Sequence, residues 1–160
     1  MNIKFFTTGG TIDKVYFDSK SEFAVGSPQV EEVLREANAS FDYEVESILR
    51  KDSLDMTEAD RQLIRDKVAA DRCSLVVVTH GTDTMVDTAR ALLGISGKTI
   101  VLTGSMQPAR FRATDAVFNI GSAIGAVQSL PAGVYIVMNG WVFYPLKTRK
   151  NREKNCFEET

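Results

Sequence analysis

Residues that announce a chemistry by their abundance are scarce in this chain. It has two cysteines, Cys73 and Cys156, and one histidine, His80. That is too few for a disulfide framework or a structural zinc centre, so both thiols are expected to be reduced and no metal site is expected. No apolar run approaches the roughly 20 residues needed to span a bilayer. The opening Met1-Asn2-Ile3-Lys4-Phe5-Phe6 passes into a Thr/Gly segment without the long apolar region of a secretory signal, so the sequence reads as cytoplasmic, with no membrane partner. Charge of one sign is also missing. Nineteen Lys plus Arg against 21 Asp plus Glu leave a net charge of -2, which gives no global field for nucleic acid.

The 160 residues, 44% hydrophobic and 25% charged, suit one soluble domain spanning 1–160, able to bury roughly 70% of its unfolded surface. Repeats and low-complexity segments are absent. Ile3 to Thr7 reads as a buried strand stopped by Gly9-Gly10, and Thr11 to Gly26 as a long loop or hairpin. Ser27-Pro28 supplies a cap and a first-turn proline for a helix carrying Val30, Val33, Leu34 and Ala37. Tyr43 to Leu49 alternates as a strand whose charged positions suit a sheet edge. Thr57 with Asp60 resembles a capping box opening a helix to about Ala70, facing inward through Leu63, Ile64 and Val68.

Leu75 to Val78 and Ile100 to Leu102 are continuous apolar runs of the kind a parallel sheet covered on both faces requires. Asp83 to Leu93 reads as a crossover helix between them. A further helix over about Ala113 to Leu130 carries small residues at Gly121, Ala123, Gly125 and Ala126, and Val134 to Met138 makes another buried strand. The alternation predicts an α/β fold, a doubly wound, mainly parallel sheet with helices on both faces and ligands beyond the carboxyl ends of its strands. The hydroxyl-rich segments Thr7–Thr11, Asp52–Asp55, Thr79–Thr84 and Gly104–Pro108 fall at those ends.

Phosphate-binding glycine signatures are not met: Gly9-Gly10-Thr11 lacks the Gly-Lys-Ser/Thr ending, and no G-x-G-x-x-G follows the first strand. No cofactor is expected. Threonines instead gather at Thr7, Thr8 and Thr11 and at Thr79, Thr82 and Thr84. Any one of them suits turn or cap chemistry, yet a hydroxyl nucleophile needs a base and a group to hold that base. Thr82 beside Asp83 offers hydroxyl and carboxylate together. His80 leaves a buried strand, where a structural role is expected, and G-x-S-x-G is missing, which leaves lysine as the candidate base. An ordinary lysine titrates near about 10.4, so such a role calls for burial or neighbouring positive charge.

Thr8-Gly9-Gly10-Thr11-Ile12 together with Thr79-His80-Gly81-Thr82-Asp83-Thr84-Met85 resembles the L-asparaginase/glutaminase family. The resemblance extends through Ser53-Leu54-Asp55-Met56, Leu102 to Pro108, Phe118-Asn119 and Val137-Met138-Asn139. It implies Thr11 as the nucleophile that attacks an amide, on a mobile loop with a tyrosine partner. It implies a Thr-Lys-Asp relay at Thr82, Asp83 and Lys150, with Lys147 as the fallback lysine, and Arg149 and Arg152 as flanking charge. Ser53 would hold the substrate's α-carboxylate, Asp83 with Thr82 its amino group, and Ser105 lies among the substrate-side hydroxyls. Family members carry a second, C-terminal domain that completes a neighbour's site, so a homodimer is expected here. Phe23 stands where the family has a tyrosine before x-Val-Gly, with Tyr16 as a stand-in on the same loop, and Leu54 replaces a residue that is usually polar. The implied function is hydrolysis of the side-chain amide of asparagine or a related small amide. The alternative is a catalytically weak amino-acid-binding or regulatory module on the same fold. For Lys147 to Lys154 the bare residues also read as a solvated basic tail.

Overall fold

The computed structural model describes residues 1–19 and 21–160. Strands β1 (Asn2–Gly9), β4 (Asp42–Lys51), β5 (Leu75–Thr79), β6 (Thr99–Thr103) and β7 (Gly133–Met138) run parallel in the order β4-β1-β5-β6-β7, and β8 (Trp141–Phe143) adds an antiparallel edge beside β7. Two antiparallel hairpins stand apart from this sheet: β2 (Lys14–Phe17) with β3 (Glu22–Val25), and β9 (Thr148–Asn151) with β10 (Cys156–Glu159).

The helices divide between the two faces because residues on successive strand positions point in opposite directions. Val76, Val78, Ile100, Leu102 and Ile136 pack with Ile64 and Val68 of α2 (Glu58–Ala70) and Met85, Val86 and Ala89 of α3 (Met85–Ala91). Phe5, Val77, Val101 and Val137 pack with Val30, Val33 and Leu34 of α1 (Val30–Glu36) and Ala116, Ile120, Ala123 and Val127 of α4 (Ala116–Ser129). Each such side chain contributes about 1.5–3 kcal/mol of transfer free energy. This is the doubly wound, mainly parallel fold expected from the sequence, with β4 at an edge. Among the described residues no helix is long and apolar enough to cross a membrane.

Several local expectations are corrected. Helix α1 begins after Gln29 rather than at Ser27-Pro28, because the buried Asp13 carboxylate accepts the Gln29 N–H at 2.8 Å and caps the helix from outside. Leu63 is 40% exposed; the buried stripe of α2 runs through Arg61, Ile64 and Val68, and Leu63 falls off it. Helix α3 starts at Met85, since the Thr84 hydroxyl donates to the Ser53 carbonyl (2.8 Å) and Asp83-Thr84 form the preceding turn. Helix α4 starts at Ala116, not Ala113: the Asp115 carboxylate accepts the Met106 and Gln107 N–H groups, and the Thr114 hydroxyl accepts that of Ala116. Thr7, Thr8 and Thr79 lie buried within β1 and β5 and not on loops. The Thr57/Asp60 capping box is present as expected.

The basic tail is a folded hairpin. Phe157 packs on Phe143 and into the core beneath α3, while Arg90 donates to the Pro145 (3.0 Å) and Thr148 (3.4 Å) carbonyls. Its sequence reads as solvated because one apolar residue, Phe157, anchors an otherwise charged pair of strands.

Candidate active site

The carboxyl ends of β1, β4 and β5 meet because two glycines let backbone touch backbone. A Cβ on Gly10, which has φ +87°, would stand 2.4 Å from the Gly81 nitrogen. A Cβ on Gly81 would stand 2.6 Å from both Cβ and Oγ of Ser53. Real side chains do not tolerate such separations, so these positions require glycine. Thr11, Thr82 and Ser53 are thereby carried to one rim, each on or beside a packed backbone. Thr11 begins a short 3-10 turn, Thr11–Asp13, and is half-buried; Thr82 and Ser53 are buried.

Lys150 reaches this rim from β9, more than sixty residues away in sequence. Its Nζ donates to Thr82 Oγ1 at 2.6 Å and to Asp83 Oδ1 at 2.7 Å, and its side chain is only 9% exposed. Asp83 keeps 31% of its side chain open, so an oxygen remains available to a cation from solution. Arg152 approaches the same carboxylate at 3.8 Å. Arg149, expected to flank the lysine with positive charge, is paired with Glu158 at 2.6 Å instead, because neighbouring residues on a strand point to opposite sides. Lys147, the fallback, sits on a separate 3-10 turn and lines an apolar cleft with Leu93, Tyr135 and Leu146.

His80 is fully buried. Its Nδ1 lies 2.7 Å from the Gly81 carbonyl, which can only accept, so Nδ1 carries the proton and Nε2 accepts from the Thr88 hydroxyl at 2.7 Å. Burial pushes its pKa down to about 4 despite the Gly81 bond. The ring is neutral and occupied on both sides, which gives the structural role expected of it. Ser105 is buried, with its hydroxyl donating to the Gln107 carbonyl of its own loop. It stands outside the Lys150 cluster. Ser53 Oγ is buried without a hydrogen-bond partner among the described residues, an uncommon state for a hydroxyl in a folded interior. Asp52 beside it bonds the Leu54 N–H and pairs with Lys14 at 3.0 Å. Burial works against its charge, but these contacts and the nearby Lys150 hold its carboxyl below the usual range.

The β2–β3 hairpin covers one side. Phe23 packs on Tyr16 (5.3 Å between centroids) and on Phe111 (5.6 Å), and Tyr16 and Phe23 are both half exposed. Sequence reasoning missed Asn119 as a fastener. Its amide donates to the Gly104 carbonyl and to Asp115, and its oxygen accepts the Asn139 N–H. A lone Asn119 among the apolar residues at the start of α4 was the available signal. Among the described residues no group of three potential metal ligands gathers.

With this geometry in place, the relatives decide the family. Residues 2–158 match the model of the asparaginase N-terminal domain. The chain belongs to the asparaginase family. It is 32% identical over 155 residues to L-asparaginase 2 of Escherichia coli, covering 88% of this chain and 44% of that protein. It is 39% identical over 103 residues to the glutaminase-asparaginase of Acinetobacter glutaminasificans, covering 61% of this chain and 30% of that one. The thermostable L-asparaginase of Thermococcus kodakarensis superposes with a TM-score of 0.83 at 27% identity, over 99% of this chain and 51% of that structure. The chain thus spans about half the length of the asparaginases it matches.

Proposed function

We propose that the protein is an amidohydrolase that releases ammonia from the side-chain amide of asparagine or a related small amide, through a threonine nucleophile. The observation that carries this reading is the contact of a largely covered lysine with Thr82 and Asp83, on the rim where Gly10 packs Thr11's loop against Gly81.

In this reading Thr11 Oγ attacks the amide carbon and its proton passes to the leaving nitrogen. Ammonia departs, leaving an ester on Thr11, which water then hydrolyses to the acid. Thr82 and the Lys150 amine form the proton relay, and Asp83 holds the lysine in line. The open oxygen of Asp83 takes the substrate's ammonium, with Thr82 beside it. The orphaned Ser53 hydroxyl donates to its carboxylate. Backbone N–H groups beside Thr11 and Thr82 stabilise the oxyanion, a contribution of about 3–4 kcal/mol per donor where it has been dissected. Ser105 shapes the β6 loop on the substrate side. No step calls for a cofactor. The protein acts in the cytoplasm with both thiols free, as a homodimer related by a two-fold axis. The outward Gly121 and Gly125 of α4, where an added Cβ would meet open space, leave room for a second copy's approach.

Ammonia release from asparagine, glutamine and simple amides, with the wild type and Thr11→Ala, tests the reading. Turnover lost in the variant supports it. Phe23, which brings no hydroxyl to the hairpin, favours the second reading of an amino-acid-binding module. Thermal stabilisation by ligand in both proteins without turnover in either would establish that one.

A further inference from the structure

Asp13, two residues beyond Thr11, is 2% exposed and takes no part in the chemistry outlined above. Its carboxylate accepts the Gln29 N–H (2.8 Å) at the start of α1, and its carbonyl accepts the Gly26 N–H (2.8 Å) at the far end of the β2–β3 hairpin. One residue therefore closes the base of the hairpin and ties it to the start of α1. The tie extends further: Gln29 is itself buried, its side-chain oxygen accepts Arg110 Nε (2.9 Å), and the Ile12 carbonyl accepts the Ala109 N–H (3.1 Å). Ala109 and Arg110 belong to the loop that follows β6, so the turn carrying Thr11 is fixed to α1 and to that loop through Asp13 and its neighbours.

We propose that Asp13 is a positioning residue for Thr11, its buried carboxyl holding the Thr11–Asp13 turn and the root of the hairpin in the geometry the nucleophile needs. The proposal rests on the reading of Thr11 as nucleophile. Fixing a reacting group to within a fraction of an ångström is what separates an effective nucleophile from a nearby hydroxyl. Burial pushes Asp13 up to about 7, only partly offset by the Gln29 N–H and by Arg50. An uncharged acceptor of the same shape would make the same bond without that penalty.

The test compares Asp13→Asn, which keeps the acceptor oxygen, with Asp13→Ala, which removes it. The full chain is used, with two readouts. In ammonia release, Asp13→Ala is expected to lower kcat at least about 30-fold with KM within about threefold, because Ser53 and Asp83 still hold the substrate, and Asp13→Asn to restore kcat to within about threefold. In amide hydrogen exchange, residues 11–26 should exchange at least tenfold faster in Asp13→Ala than in Asp13→Asn, with β5 and β6 unchanged. Equal kcat in wild type and Asp13→Ala, or loss shared between kcat and global stability without Asn rescue, overturns the proposal. If the wild type shows no turnover, the amidase reading fails, and the exchange experiment still decides whether Asp13 pins the hairpin.

Discussion

Two lysine side chains are covered to nearly the same depth in this molecule, and their surroundings differ sharply. Lys4, near the amino end of β1, has 10% of its side chain exposed and meets three carboxylates, Glu44 at 3.3 Å, Glu46 at 3.1 Å and Asp71 at 3.6 Å. Burial alone would lower its pKa, but Glu46, Glu44 and Asp71 together raise it, so Lys4 is a fixed ammonium. Lys150, at the carboxyl end of the sheet, is 9% exposed and meets one closely bonded carboxylate and one threonine hydroxyl. An ammonium encircled by acids welds β1 to β4 and to the turn after α2. Lys150 lies instead between a hydroxyl and a single close acid, the placement the proposed proton relay requires. Depth of burial does not distinguish them; the partners do.

The comparison breaks first on activity. Lys150→Met should lower kcat at least about 10³-fold, since it removes the relay itself, while Lys4→Met should leave kcat within about threefold; steady-state ammonia release measures both. A similar loss in the two variants would erase the distinction.

Acidity sharpens it next. Asp13 is the counterpart case, a buried carboxyl with no ion pair among the described residues. Its folded pKa of about 7 lies above the ordinary value of 3.8, so the fold binds a proton that the unfolded chain has released. The stability from that proton is complete below about pH 4 and is lost as the pH rises to about 7. Asn does not titrate. Chemical denaturation of Asp13→Asn and wild type should therefore diverge by about 1.4 kcal/mol per pH unit across this window, in favour of the variant, and run parallel above it. His80 has the opposite sign. Its folded pKa of about 4 lies below 6.5, so the stability it contributes is lost as the pH falls from about 6.5 to about 4. In the wild type the two slopes largely cancel over that range.

Smaller effects follow. Lys4→Met should cost about 1–3 kcal/mol of stability, because it takes the ammonium from among three acids and leaves Glu46 with Lys67 alone (2.8 Å) and Asp71 with only the Cys73 N–H (2.7 Å), and the loss should shrink below pH 4 as both acids protonate. Both are held below their ordinary range in the fold, so the stability they bring is present above about pH 4 and lost beneath it. Thr57→Ala removes the capping box of α2 and should cost about 1 kcal/mol in thermal or denaturant unfolding with no change in kcat.

Much of the fold was legible because its signals are local. Val76 to Val78 and Ile100 to Leu102 are apolar on both faces, and Thr57 with Asp60 caps a helix by spacing alone. Helix starts were less legible where a distant side chain does the capping, as Asp13 does for α1. The site was legible where glycine spacing marks a backbone approach, at Gly10 and Gly81, and through the family motifs around Thr11 and Thr82. The lysine was legible too, through the resemblance that put Lys150 with Thr82 and Asp83, but not all of its flanking charge was. Which residue of Lys147, Arg149 and Lys150 meets Asp83 depends on the register of a hairpin whose apolar anchor, Phe157, gives no local pattern. The sequence suggested flanking arginines, and the strand's alternation sent Arg149 to Glu158.

The most direct measurement of whether Lys150, Thr82, Asp83 and Thr11 work as one unit is a kinetic double-mutant cycle on amide hydrolysis, with Thr82→Val, Lys150→Met and the pair. Residues acting as a relay predict that the double variant loses no more than the worse single variant. Losses that multiply, each variant acting independently of the other, would contradict the account.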